Sequence, residues 1–409
     1  MLTNEPNLEK RQNHIMQASL VEESGRLSKE RKEQRSMASS VITKPIISSD
    51  SHIMEPPDTY TARIDKKYKD TAPHVEWRDK SGDTYVIDGM KQTIPMGLVA
   101  AAGVSAEGLA TSAQFAKFAD LHRGGWDPEA RMADQDRDGV AAEVIYPSVG
   151  MVLCNHPDGD YKKACFDAYN LWIAEYCSAH PTRLLGLGQT AMRTPEEGIK
   201  DLEKMKAMGL RGVMMPGFPM QEDYDNPIYD EFFEAAISLK MPLSFHILTS
   251  REGIAIASRG PRINSFLSII RGNQDIMGMF IFGGVFERHP KLRIACVEAD
   301  AGWVPHFMYR MDHAYDRHRY WLATSKLSKK PSEYFSENIY MTFQDDWVAF
   351  KSASMLNPRR LMWANDFPHS DSTWPNSQEL LNQHCQSLTA EQKDWVLHDN
   401  VADFYQMTL

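Results

Sequence analysis

A (β/α)8 barrel, with eight parallel strands alternating with helices and a long insertion after the first strand, is the fold class this 409-residue sequence predicts. Three observations lead there. Eight short apolar runs bounded by turn residues recur along the chain; segments with apolar residues at three- and four-residue spacing lie between them; acidic or imidazole side chains follow several runs directly. A doubly wound open sheet would carry a phosphate-binding glycine fingerprint after an early strand, and the sequence has none.

Residues 1–43 are polar and include a charge-dense run from Glu22 to Arg35, too poor in large apolar groups to offset the entropy of ordering. They are expected to form an arm, disordered or docked on a partner, ahead of a domain spanning 44–409. The first strand is placed at 46–49, where the stretch I-I-S-S-D-S-H-I-M-E runs into Pro56 and Pro57, which forbid regular continuation. Spacing of two puts Asp50 and His52 on one strand face, whereas Glu55 joins them only if the chain turns after Ile53. Residues 58–125 then form an insertion of the length that often acts as a lid. Within it, residues 75–77 and 84–87 read as a hairpin around Lys80-Ser81-Gly82-Asp83.

The other seven strands are expected at 142–146, 184–187, 212–215, 243–247, 293–297, 339–343 and 361–363. Helical periodicity spans 161–180, 195–208 with Thr194 as N-cap, 227–239 and 264–286. Gly209 stops a helix and Pro242 cannot continue one, so both mark helix-to-strand connections.

At 42% hydrophobic and 24% charged, the chain has the composition of a soluble globular protein. Its 45 basic and 55 acidic residues leave a formal charge of -10, which argues against nucleic acid or an anionic membrane as partner. Five cysteines without a CxxC pair suggest neither a disulfide framework nor a zinc knuckle, and no apolar run is long enough to span a membrane. A cytoplasmic enzyme acting on a small molecule, assembled as a homo- or hetero-oligomer, is the expectation.

In such a barrel, functional side chains collect at the C-terminal ends of the strands. His246 closes the run L-S-F-H, Glu298 follows I-A-C-V, and Asp366 follows L-M-W-A-N. With His52 and Glu55 they would bring five metal-type donors to one mouth. Each alone also reads as a structural histidine or a helix cap. Together they repel one another unless a cation neutralises them. Imidazole mixed with carboxylate suits zinc, manganese or iron better than calcium or magnesium, and five donors allow one or two ions. Asp366, Glu298 and His369 are the candidate catalytic groups, His369 serving as an added ligand, a proton shuttle or a turn residue ordered by Asp371. Arg251 and Arg259 stand as anion-binding or merely solvated arginines, and His313 as a mouth residue or a helix histidine paired to Asp312 or Asp316.

The stretches D-S-H-I-M-E-P-P, L-S-F-H, G-G-V-F-E-R-H-P-K-L-R-I with E-A-D-A-G-W, and N-D-F-P-H-S-D-S-T-W-P resemble the amidohydrolase-related family of metal-dependent TIM-barrel enzymes. That family includes decarboxylases of the aminocarboxymuconate-semialdehyde type. The resemblance implies that His52, His246 and Asp366 are metal ligands, that Glu55 stands in for the second histidine of the family's first-strand H-x-H, and that Glu298 replaces a sixth-strand histidine used for proton transfer. A hydrolase working through metal-activated water is the first expectation. A decarboxylase of an aromatic or unsaturated acid, with His313 or His369 supplying the proton, is the second; a non-haem iron oxygenase and a catalytically silent subunit are the others.

Overall fold

The computed structural model describes residues 42–111, 115–250 and 260–407, so all but the last two residues of the N-terminal arm, and both Arg251 and Arg259, lie outside the described residues. The architecture is mixed α/β with parallel sheets. β1 (Ile46–Ile53) pairs in parallel with β5 (Val140–Pro147), and β5 with β6 (Leu184–Gly186). A second array runs β7 (Gly188–Gln189), β8 (Val213–Met214), β9 (Leu243–His246), β10 (Ile294–Val297), β11 (Ile339–Phe343) and β12 (Leu361–Trp363), all parallel. These strands are buried along nearly their whole length, which is why they read as unbroken apolar runs.

Hydrogen bonds bridge the two arrays at both of their ends. Leu187, between β6 and β7, donates its N–H to Ile145 O at 3.0 Å. On the other side Asp366 N–H reaches Asp50 O at 3.0 Å, His52 N–H reaches Phe367 O at 2.6 Å, and Ser49 Oγ donates to Trp363 O at 2.9 Å.

The insertion carries its own antiparallel sheet of β2 (His74–Arg78), β3 (Gly82–Val86) and β4 (Ile94–Pro95). Gly82 sits at φ 62°, and a Cβ there would lie 2.5 Å from Ala116 O, so the turn admits no side chain.

Between strands, helices start where the chain offers a cap. Thr194 accepts from Glu197 N–H at the head of Pro195–Ala207, and Asp127 accepts from Glu129 and Ala130 N–H at the head of Pro128–Asp138. One expected helix is cut short at both ends. Instead of 264–286, the α-helix runs Arg271–Phe282, preceded by a 3-10 turn over Arg262–Leu267 and ended at Gly283, with Gly284 at φ 74°. Among the described residues, no helix is long and apolar enough to cross a membrane.

Candidate metal centre

Four strand ends place their polar side chains at one spot. Asp50 and His52, two apart on β1, point the same way; His246 is the last residue of β9; Glu298 follows β10; Asp366 comes three residues after β12. Glu298 and Asp366 both adopt φ 53°, a left-handed conformation unfavourable for residues with a Cβ. Such strain concentrates where a side chain's aim matters more than local comfort.

The distances are short. His52 Nε2 lies 3.2 Å from Glu298 Oε2, 3.5 Å from Asp50 Oδ1 and 3.5 Å from Asp366 Oδ1. His246 Nε2 lies 3.1 Å from Glu298 Oε2 and 3.7 Å from Asp50 Oδ1. Two overlapping groups, Asp50-His52-His246-Glu298 and His52-Glu298-Asp366-His369, each hold four donor atoms within 4.8 Å of one another. Asp50, His52, His246 and Asp366 are fully buried, and only Glu298 keeps part of its side chain, 17%, in contact with solvent.

The hydrogen-bond pattern decides what the cluster suits. Nδ1 of His246 faces Ile247 O at 3.0 Å, and Nδ1 of His52 faces Pro147 O at 3.3 Å. Carbonyls only accept, so each Nδ1 carries the proton and each Nε2 turns a lone pair inward, the arrangement metal-binding histidines use. Those two Nε2 atoms are 3.2 Å apart. Neither carboxylate oxygen of Asp50 or of Asp366 has a hydrogen-bond partner among the described residues, although all four are buried. Converging lone pairs and bare buried carboxylates repel, and a divalent cation removes the conflict. The donor set of imidazole nitrogen and carboxylate oxygen fits a transition metal such as zinc, manganese or iron.

Among the protein groups themselves, proton affinities are pushed apart. Burial raises Asp366 well above the usual carboxylate range, with Glu298 and Asp50 adding to it, and burial likewise raises Asp50. Burial and the neighbouring His369 hold His52 well below an ordinary histidine. At His246 burial pulls the same way but is outweighed by Asp50 and Glu298, so its affinity is raised.

His369 completes the site. Its ring stacks on His52 with centroids 3.8 Å apart, and its Nδ1 is 3.1 Å from Asp366 Oδ1. Ser148 Oγ gives its single proton to Ile53 O at 2.8 Å, so it accepts from His369 Nε2 at 2.9 Å. That fixes the tautomer: Nε2 is protonated and Nδ1 faces Asp366.

Glu55 is not brought into the cluster. Its carboxylate accepts from Val149 N–H at 3.0 and 3.1 Å, from Gly150 N–H at 3.3 Å and from Tyr60 OH at 3.4 Å, and it thereby caps the short helix Val149–Leu153. The first-strand partner of His52 is Asp50, which precedes it by two, and no turn after Ile53 supplies one. His313 is also elsewhere, beside Tyr309 with ring centroids 5.9 Å apart, while Asp312 accepts from Ser332. His369 bonds to Ser148 rather than to Asp371.

Behind the donors lies a buried polar frame that sequence reasoning missed. Arg131, fully buried, donates Nε to Glu143 Oε2 at 2.5 Å and its terminal nitrogens to the carbonyls of His52 at 2.8 Å and Phe367 at 3.2 Å. Asn365 Oδ1 accepts from Ser48 and Ser51, and its Nδ2 donates to Asp138 and Glu143 at 3.3 Å each. One arginine and one asparagine thus hold the backbones that carry His52 and Asp366.

A family model described as amidohydrolase matches residues 74–407. The 2-amino-3-carboxymuconate-6-semialdehyde decarboxylase of Dictyostelium discoideum is 24% identical over 256 residues, 61% of this chain and 69% of that one. An amidohydrolase from Mycobacterium avium subsp. paratuberculosis K-10 superposes with a TM-score of 0.74 at 19% identity, covering 89% of this chain and 100% of that one. The 5-carboxyvanillate decarboxylase of Novosphingobium aromaticivorans DSM 12444, crystallised with manganese and 4-hydroxy-3-methoxy-5-nitrobenzoic acid, superposes with a TM-score of 0.65 at 19% identity over 89% and 96% of the two chains. Since the family match runs from within the insertion to the last helix, well over half of the sequence, this chain is an enzyme of the amidohydrolase family.

Proposed function

We propose that this enzyme is a metal-dependent carboxy-lyase that removes carbon dioxide from a small aromatic or unsaturated acid. Asp50, His52, His246, Glu298 and Asp366 are the residues we assign to one or two divalent ions of manganese, zinc or iron. With β6 and β7, separated only by Leu187, counted as one strand, the two arrays are read as a closed eight-stranded barrel, supported by the hydrogen bonds from Asp366 to Asp50 and from Leu187 to Ile145. Residues 58–125 are read as its lid, supported by Ala101 and Ala102, whose N–H groups both donate to Pro368 O at 2.9 Å.

The observation that carries the reading is the position of His369. Decarboxylation needs an acid at the reacting carbon, and Glu298 occupies the place where a proton-donating histidine would follow the sixth strand. His369, stacked on His52 and 3.1 Å from Asp366, brings an imidazole to the cluster from the other side. In the step proposed, the bond between the substrate carbon and its carboxylate breaks, the electron pair stays on that carbon, and carbon dioxide leaves. A proton taken up on His369 Nδ1, the ring nitrogen that faces Asp366, then forms the new C–H bond. A bound metal supplies a fixed positive charge that holds the substrate's acid or hydroxyl group and draws charge from the ring. The decarboxylases among the relatives support this reading over the alternatives.

Hydrolysis is the second reading, favoured by Glu298, the one cluster carboxylate that touches solvent and so stands where it can accept a proton from water. The deciding experiment supplies the manganese- or zinc-loaded enzyme with a panel of aromatic and unsaturated acids in deuterated water. Carbon dioxide release with one deuterium retained at the vacated carbon is expected. Turnover of lactones or amides with no carbon dioxide from any acid would replace the proposal with the hydrolase.

A further inference from the structure

A cavity lies at the opposite end of the strands from the metal donors. It measures about 490 Å³, within the range of small-molecule sites. The residues around it precede strands rather than follow them: Leu184 opens β6, Arg211 stands two residues before β8 and Met241 two before β9.

Its charge is one-sided. Among the described residues none that lines it is acidic, whereas Lys206, Arg211 and Lys240 all reach it, in a chain whose formal charge is -10. Lys206 Nζ is used locally, donating to Leu239 O at 2.7 Å. Arg211, partly buried, and Lys240 form neither an ion pair nor a side-chain hydrogen bond among the described residues. A guanidinium drawn partly out of water without a counter-charge is costly, and an anion beside it offsets that cost. The floor, with Leu184, Leu210 and Met241, is apolar and buried. A ligand matched to both features has one anionic head and a compact apolar body.

We infer that this cavity binds a small amphipathic monoanion, a carboxylate carried on an apolar or aromatic body, separately from the metal site. The inference is independent of the reaction proposed above.

Benzoate titrated calorimetrically into the metal-loaded enzyme tests it, with inorganic phosphate as the control for charge alone. Arg211→Gln and Lys240→Glu, both remote from the metal donors, should leave turnover unchanged and weaken a benzoate site at least tenfold, and phosphate should not displace benzoate. Benzoate affinity that is identical in the wild type and both variants would overturn the inference. So would the absence of any benzoate binding, or phosphate binding at the same place with equal strength.

Discussion

Replacing Arg131 by methionine should destabilise the protein severely, and the size of the effect follows from its partners. The guanidinium is fully buried and donates to Glu143 Oε2, to the carbonyls of His52, Gly124 and Phe367, and lies 4.5 Å from the Phe367 ring centroid. Methionine fills much of the volume but leaves Glu143 without its counter-charge in the interior, with only the amides of Gln135 and Asn365 still donating to it, which costs about 3–5 kcal/mol. Bared carbonyls add about 1 kcal/mol each, although Phe367 O keeps the His52 N–H. The total, about 5–7 kcal/mol, is a large part of the 5–15 kcal/mol typical of a folded domain. Urea unfolding followed by circular dichroism and tryptophan fluorescence measures it. Because most of the loss is the stranded charge, Arg131→Met with Glu143→Gln should regain about 2 kcal/mol, since the neutral amide in place of the carboxylate still meets Asn365. A single variant that loses less than about 1 kcal/mol, or a double variant no better than the single, would refute the claim that this ion pair frames the site.

Asp50→Asn should lower metal retention after dialysis, measured by elemental analysis, by more than the 10–100-fold that outer contacts contribute, whereas Glu55→Gln should leave metal content unchanged. Ser148→Ala frees the His369 ring to take the other tautomer and should lower kcat about 10–100-fold at unchanged metal content, assayed on whichever acid the panel identifies. Glu55 also makes stability depend on pH. Burial raises its pKa from 4.5 to about 7, so between those values the folded protein holds a proton that the unfolded chain has released. Its contribution is complete below pH 4.5, declines as pH rises and is gone above about 7; a rise from 4.5 to about 7 corresponds to about 3 kcal/mol. Urea midpoints between about pH 5 and 8 should fall with rising pH, and Glu55→Gln should flatten that slope.

How much of this was legible in the sequence depended on whether a feature is local. The strands could be read because a strand buried on both faces is an apolar run with turn residues at its ends, and His246, Glu298 and Asp366 could be read because each follows such a run. The helix expected over 264–286 was overdrawn for the converse reason: Phe266 and Leu267 supply the apolar period, yet they stand 69% and 78% exposed, so their spacing reports no buried face. Glu55 and Asp50 differ in a way that no short pattern records. Both are fully buried carboxylates within six residues of each other, but the donors that satisfy Glu55 come from Val149 and Gly150, on another strand's end, while Asp50 finds none among the described residues. The frame of Arg131, Glu143 and Asn365 was invisible for the same reason, its members being 12 and 222 positions apart. Residue type therefore does not separate a metal ligand from a helix cap. A buried carboxylate already supplied with N–H donors has no need of a cation, and one left bare beside two inward-facing imidazole lone pairs does, which is the ground on which we propose Asp50 rather than Glu55 as the partner of His52 in holding a metal.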